Sequence, residues 1–343
     1  MEGRLRFDEL AFIGNYDYFR GKSVGETGAV VKADAYGTGS ERAVRLLSSV
    51  GCRHFFVANL EEAIAIDSLT NGSVYVMSGP LNATAAQEMA DRRLIPVLNS
   101  EFQVELWRNF GDSSCAAQVD TGMQRLGLAV DAFTRLDWKS MKVRLVLTHL
   151  ACADTPEHPM NQEQCEAFAA VSKIFPNVPT SMGNSAGILN GHEFQGDVTR
   201  PGIGLYGGNP WRDRENPMQT VVTCEGAVMQ IRTVPNGDSI GYGASFVAKK
   251  EMMVATVGLG YADGIPWGLS NRGSFSRDGV RMPIVGQVSM DATQVDCSSH
   301  MSLREGDFVQ FIGDQVSLDE VARLADTIPY EILTSLGTRI HRC

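Results

Sequence analysis

The sequence predicts a (β/α)8 barrel of the TIM type followed by a mostly antiparallel β domain. Two patterns predict it. Up to about residue 205, short apolar runs alternate with polar or amphipathic stretches long enough for helices, as in a parallel sheet buried on both faces. After about residue 215 the helical periods nearly vanish, and apolar runs follow one another across turn signals. The chain has 343 residues, enough for a barrel plus a second domain. The expected division is 1–214 and 215–343.

Eight strands are expected in the first part, at 28–32, 53–58, 73–77, 94–98, 115–119, 142–148, 178–183 and 198–204. The stretches "ERAVRLLSS" (41–49), "LEEAIAIDSL" (60–69) and "NQEQCEAFAAVSKIF" (161–175) read as intervening helices. In the second part, "EGAVMQIRTV", "MMVATVGLGY", "MPIVGQVSMDATQV" and "DFVQFIG" read as strands, with a turn at Pro235-Asn236-Gly237-Asp238. The S-L-D-E stretch from Ser317 is a capping box and predicts one late helix.

Composition narrows the function classes. A net charge of -10 disfavours nucleic acid and anionic membrane as partners, since both reward basic patches. No apolar run reaches the length of a membrane span, and "MEGRLRFDEL" is too charged for a signal peptide. The seven cysteines are odd in number and lack C-x-x-C spacing. That argues for a reducing, cytoplasmic setting rather than a disulfide framework or a zinc site. The glycosylation sequons at Asn71 and Asn82 then read as accidental.

In such a barrel, chemistry gathers where strands end at the C-terminal face. Those ends supply Lys32, Asn59, Asp120, His149, Ser185 and Arg200. Lys32 closes an apolar run with no carboxylate provided for it nearby. A desolvated lysine there has a lowered pKa and becomes a nucleophilic amine, able to form Schiff bases with carbonyls such as pyridoxal phosphate. A lysine in that place can equally snorkel to solvent. The Ala-Tyr-Gly-Thr-Gly run keeps the following chain close and sets an aromatic beside the amine.

The stretches "NSAG" (Asn184–Gly187) and "RPGIGLYGG" (Arg200–Gly208) follow the seventh and eighth strands, where barrels bind phosphate. Ser185, Gly202 and Ile203 are candidate donors there. Gly202, Gly204 and Gly207 spell G-x-G-x-x-G, but no βαβ unit with a suitably placed acid follows, so this is no dinucleotide fingerprint. Taken alone, Arg200 reads as a salt-bridge arginine and His149 as a hydrogen-bonded barrel histidine. Tyr261, in a tight turn with Asp263, reads either as packing or as an acid/base beside a cationic site.

Taken together, "AVVKADAYGTG", "VDTGMQRLG", "LTHLACAD", "NSAG", "TRPGIGLYGG", "GLGYADG", "VGQVSMD" and "IPYEIL" resemble the alanine racemase family. The eight pieces stand in family order and span nearly the whole chain. The resemblance implies a pyridoxal phosphate enzyme that interconverts L- and D-alanine by two-base proton transfer on an external aldimine. It implies Lys32 as cofactor-bearing lysine and one catalytic base. Tyr261 would be the opposite base, reaching the site from the second subunit of a homodimer. Tyr36, Ser185, Gly202, Ile203 and Tyr330 would bind the cofactor phosphate. Arg200 would face the pyridine nitrogen, and His149 would link Arg200 to Tyr261. Arg125 and the Met290 backbone amide would hold the substrate carboxylate, and Asp154 matches a position near the entrance channel. The role implied is D-alanine supply for peptidoglycan.

Three positions depart from the family pattern. Gln118 replaces a lysine that is often carbamylated, leaving Arg125 to a neutral amide or a bound anion. Gln287 stands where many relatives carry arginine, and Ser181 where many carry histidine. These leave open a racemase of broader or serine-directed specificity. A decarboxylase on the same scaffold would place a carboxylate, not Arg200, at the pyridine nitrogen. A non-catalytic cofactor carrier would lack residues 215–343.

Overall fold

A computed structural model of the chain describes residues 2–110 and 112–343. Strand β1 (Gly3–Phe7) and the long helix α1 (Glu9–Lys22) open it. The barrel follows: β2 (Glu26–Thr27), β3 (Ala29–Val30), β4 (His54–Val57), β5 (Ser73–Val76), β6 (Ile95–Leu98), β7 (Ser114–Asp120), the short β8 (Leu128–Ala129) beside β7, β9 (Lys142–Leu147), β10 (Thr180–Ser181) and β11 (Val198–Thr199). Pairing is parallel from β3 through β4, β5, β6, β7 and β9 to β10. Strand β11 pairs in parallel with β2, which precedes β3 across Gly28 and makes with it one interrupted barrel strand. Between β10 and β11 the Arg200 N–H donates to Gly183 O at 2.7 Å, and Ser181 Oγ donates to Val198 O. All eight expected barrel positions are thus strands, though the first, seventh and eighth are much shorter than expected. The eighth stops at Thr199 because Pro201 has no N–H to continue a ladder, and a 3-10 turn (Ile203–Tyr206) follows.

Several helices start where side-chain oxygens cap them. Asn59 accepts from Glu62 N at 2.9 Å, Asn82 from Ala85 N at 2.8 Å and Ser100 from Gln103 N at 3.3 Å. Asn59, a candidate site residue by its strand-end position, is therefore a helix cap. The three expected helices appear as Ser40–Ser49, Leu60–Ile66 and Pro159–Ser172.

The second sheet is centred on β12 (Val222–Val234). The hairpin of β13 (Ser239–Ile240) and β14 (Phe246–Val247) follows, then β15 (Met252–Val257), the hairpin of β16 (Ser274–Arg277) and β17 (Val280–Pro283), β18 (Thr293–Asp296), β19 (Phe308–Ile312) and β20 (His341–Arg342). Strand β12 pairs antiparallel with β1, β15 and β19. Strand β1 also pairs in parallel with β20. The start of the chain therefore belongs to the sheet formed by its end, which a single cut at residue 214 does not express. Helix Leu318–Leu324 begins at Ser317, whose Oγ accepts from Glu320 N at 3.1 Å, as its capping sequence requires.

Alternation along β1 buries Gly3, Leu5 and Phe7. Phe7 lies 5.0 Å from Phe12 between ring centroids, and Phe12 lies 5.5 Å from Tyr206 in the barrel. One large core cluster runs from the barrel through β1 into the second sheet, and a smaller one forms around Val234 and Val254. Leu5 is fully buried in the large cluster. Leu5→Ala is expected to cost about 2–5 kcal/mol, read as a lowered urea midpoint.

Candidate active site

After β3 the chain turns tightly, in a conformation its composition does not announce. Ala33, Asp34, Ala35 and Tyr36 have φ of 52, 52, 52 and 57°, four successive residues in the left-handed helical region. Ala35 N donates to Val31 O at 3.0 Å and Gly39 N to Asp34 O at 3.0 Å. Asp34 Oδ1 accepts from Ser40 N at 2.7 Å. Glu62 accepts from Ala33 N at 2.9 Å and from Ala58 N at 2.7 Å. Gly37 follows at φ +78°, and a Cβ there would lie 2.6 Å from Leu333 O. Only glycine lets helix Pro329–Thr334 of the second domain dock against this turn.

The turn aims Tyr36 inward. Its ring stacks on Tyr206 at 4.6 Å and lies 6.0 Å from Tyr330 on the docked helix. Tyr206 donates its hydroxyl to Val30 O at 3.0 Å. A Cβ on Gly202 would collide with the Tyr36 hydroxyl. Ser185 Oγ accepts from Gly202 N at 2.9 Å and from Gly204 N at 3.4 Å. Tyr36, Ser185, Gly202 and the adjoining Ile203 thus form one cradle, with Tyr330 at its edge. Burial, then Asp154, pushes the Tyr330 phenol up to about 12.

Arg200 is 4% exposed and has no carboxylate partner among the described residues, which overturns its reading as a salt-bridge arginine. It donates to Ser181 Oγ and, at 2.7 Å, to Thr148 O. Burial pulls its pKa down to about 10, so it stays charged at neutral pH. Its Nη2 also lies 3.4 Å from His149 Nδ1. A guanidinium only donates, so Nδ1 accepts and the neutral ring carries its proton on Nε2. Burial, then Arg200, Arg125 and Lys32, lower the His149 pKa to about 3. The His149 carbonyl is held by Gln164 Nε2 at 3.0 Å.

The Lys32 amine is lowered from its ordinary pKa by burial and then by Arg125, while Glu62 acts in the opposite direction. Lys32 therefore does have a carboxylate neighbour, supplied by the next barrel helix rather than by its own stretch of sequence. Asp120 is a loop anchor: its Oδ1 accepts from Gly122 N at 2.8 Å and its Oδ2 from Arg125 N at 3.0 Å. Burial alone would raise its carboxyl, but the backbone donors hold it below its ordinary value. Gln118 acts on the Arg125 loop through the backbone, donating to Leu126 O at 2.8 Å. Asp154 pairs with Arg212 at 2.5 Å.

Tyr261 and Met290 lie together in the second domain. Tyr261 N donates to Ser289 O and Ala262 N to Met290 O, both at 3.0 Å. Arg339 clamps the two loops through Asp263 at 3.0 Å and Asp291 at 2.7 Å. Both side chains face outward, Tyr261 at 46% and Met290 at 52% exposure. Among the described residues, no hydrogen bond or ion pair connects either of them to the Lys32 cluster within one chain.

Lys32, Arg125 and Arg200 gather here; among the described residues Glu62 is the carboxylate that acts on Lys32, while Asp120 is taken up by the backbone N–H groups of its own loop. A buried cation without a counter-ion, a hydroxyl-lined glycine cradle and an amine of lowered pKa suit an aldehyde that carries a phosphate. Pyridoxal phosphate fits this donor set.

Residues 8–210 match the N-terminal domain of alanine racemase and residues 221–343 match its C-terminal domain. The chain belongs to the alanine racemase family. It is similar to a catabolic alanine racemase of Agrobacterium fabrum, 42% identical over 99% of this chain and 91% of that protein. It is similar also to an alanine racemase of Rhodospirillum rubrum, 43% identical over 91% of this chain and 87% of that one. Among solved structures, alanine racemase from Bartonella henselae with covalently bound pyridoxal phosphate superposes with a TM-score of 0.94. It is 35% identical, and the match covers 100% of this chain and 99% of that one.

Among the residues around the alanine racemase site, sequence reasoning passed over Glu62, Thr148, Gln164 and Tyr206. Tyr206 and Thr148 carried a signal, since they lie inside "GIGLYGG" and "LTHLACAD"; Glu62 and Gln164 carried none.

A neutral buried histidine has a pH consequence. The unfolded chain protonates His149 near its reference value of about 6.5, whereas the folded chain resists until about 3. Folding stability contributed here is present above the unfolded value and declines as pH falls from about 6.5 toward 3. His149→Gln should flatten that part of the stability profile, measured by denaturant titration at several pH values.

Proposed function

We propose that this protein interconverts L- and D-alanine, using pyridoxal phosphate, as a homodimer whose two sites each draw on both chains. The observation that carries the reading is the Lys32 amine, lowered in pKa at the barrel mouth beside the buried, carboxylate-free Arg200. When bound, pyridoxal phosphate supplies the electron sink that makes the substrate Cα–H acidic. Tyr36, Ser185, Gly202, Ile203 and Tyr330 hold its phosphate through hydroxyls and backbone N–H groups. Arg200 donates to the ring nitrogen and, being unable to give up its proton there, keeps that nitrogen unprotonated. Arg125 and the Met290 amide of the partner chain receive the substrate carboxylate.

Lys32 Nζ exchanges a proton with Cα on one face. The partner subunit's Tyr261 exchanges one on the other through its hydroxyl, and removal by either with return by the other inverts the centre. His149, with its proton on Nε2, hydrogen-bonds that phenol and relays the influence of Arg200. The exposure of Tyr261, Met290, Tyr242 (69%) and Trp267 (57%) supports a partner chain covering this face. In this reading the barrel binds cofactor in its own chain, and the second domain completes the neighbour's site. Seven free cysteines support a cytoplasmic setting. No helix among the described residues is long and apolar enough to cross a membrane.

A chiral assay over a panel of L-amino acids tests the reaction, with D-alanine the expected product. Borohydride should fix the cofactor to Lys32. Tyr261→Phe should lose proton exchange chiefly from L-alanine and Lys32→Ala chiefly from D-alanine, each by about 10²–10⁴-fold. Equal losses in both directions would refute the division of labour. Mixing the two inactive variants should restore part of the activity in hybrid dimers, and a fully active monomer would overturn the shared-site reading.

A further inference from the structure

A run of left-handed residues without glycine needs an external cause, because each residue is sterically disfavoured and persists only where its surroundings dictate it. The hydrogen bonds from Ala35 N to Val31 O and from Gly39 N to Asp34 O are local, and neither engages the N–H of the first left-handed residue. That residue, Ala33, gives its N–H to Glu62 Oε1 at 2.9 Å. Glu62 Oε2 takes the Ala58 N–H at 2.7 Å, from the loop after β4. Glu62 is itself fixed in the first turn of its helix by Asn59 Oδ1 at 2.9 Å. One carboxylate thus joins the first and second βα loops of the barrel. Only a carboxylate can do so, since an amide would turn a donor toward one of the two N–H groups.

We propose that Glu62 is a positioning residue for Lys32: its carboxylate clamps the left-handed turn and thereby sets where the amine and Tyr36 point. The inference rests on the reading that Lys32 bears the cofactor. The same carboxylate also faces the Lys32 amine, where it opposes the effect of burial and Arg125.

The test uses full-length holoenzyme with Glu62→Gln, and Glu62→Asp should the first fail to fold. Aspartate keeps the charge but is one methylene too short to reach both donors. Amide exchange read by mass spectrometry should rise about ten-fold or more in the peptides holding Ala33 and Ala58, with the rest of the barrel unchanged. The kcat for alanine should fall more than KM changes, and the visible band of the lysine-bound cofactor should shift. Exchange like wild type at both amides, or a rise spread over the whole barrel, would overturn the clamp. Failure of borohydride to fix cofactor at Lys32 in the unaltered protein would sink the functional reading instead, and the exchange measurement would still judge the clamp.

Discussion

Four L-residues held in the left-handed conformation are the constraint on which the site depends. Each such residue costs roughly 1–2 kcal/mol relative to ordinary backbone. A right-handed turn after β3 would swing Tyr36 off Tyr206 and move the Gly37 contact away from Leu333. The barrel strand, the second-domain helix and the aromatic stack therefore all meet on this one turn. Its shape offsets its cost only because neighbours from three separate parts of the chain fit it.

A second theme is how positive charge is kept available. Arg200 is enclosed by a hydroxyl, a backbone carbonyl and a histidine nitrogen, all neutral. A buried aspartate in their place would satisfy the guanidinium and spend its field within the protein. Neutral acceptors satisfy its geometry and leave the charge directed at a ligand. The same field, together with burial, explains why His149 stays neutral and why its tautomer is determined.

Local pattern made the barrel legible. Continuous apolar runs exposed all eight strand positions, because strands covered on both faces need no polar side. The late capping box worked for a similar reason: Ser317 and Glu320 interact within one turn. Non-local partners stayed hidden. Nothing in "GRLRF" tells of pairing with β12 and β20, and nothing in "LEEAIAI" tells of Glu62 reaching a turn at Lys32. Asn59 misled because a strand end and a helix N-cap share one position in a βα unit. The left-handed turn was illegible because alanine and tyrosine disfavour it and a single aspartate, which tolerates it, does not announce a run of four. Most of the site beyond the motifs carried by the family resemblance was set by contacts that no short window contains.

The pairing of β1 between β12 and β20 has a bearing on how the molecule comes into being. Gly3 and Phe7 find their partners at Gly226 and Val222, far along the sequence. Until β12 is in place β1 is an open edge, with Leu5 and Phe7 uncovered, so the aromatic bridge from Phe7 to Tyr206 lacks its roof. Sealing this sheet therefore waits on a contact of long sequence separation, the kind that is slow to form.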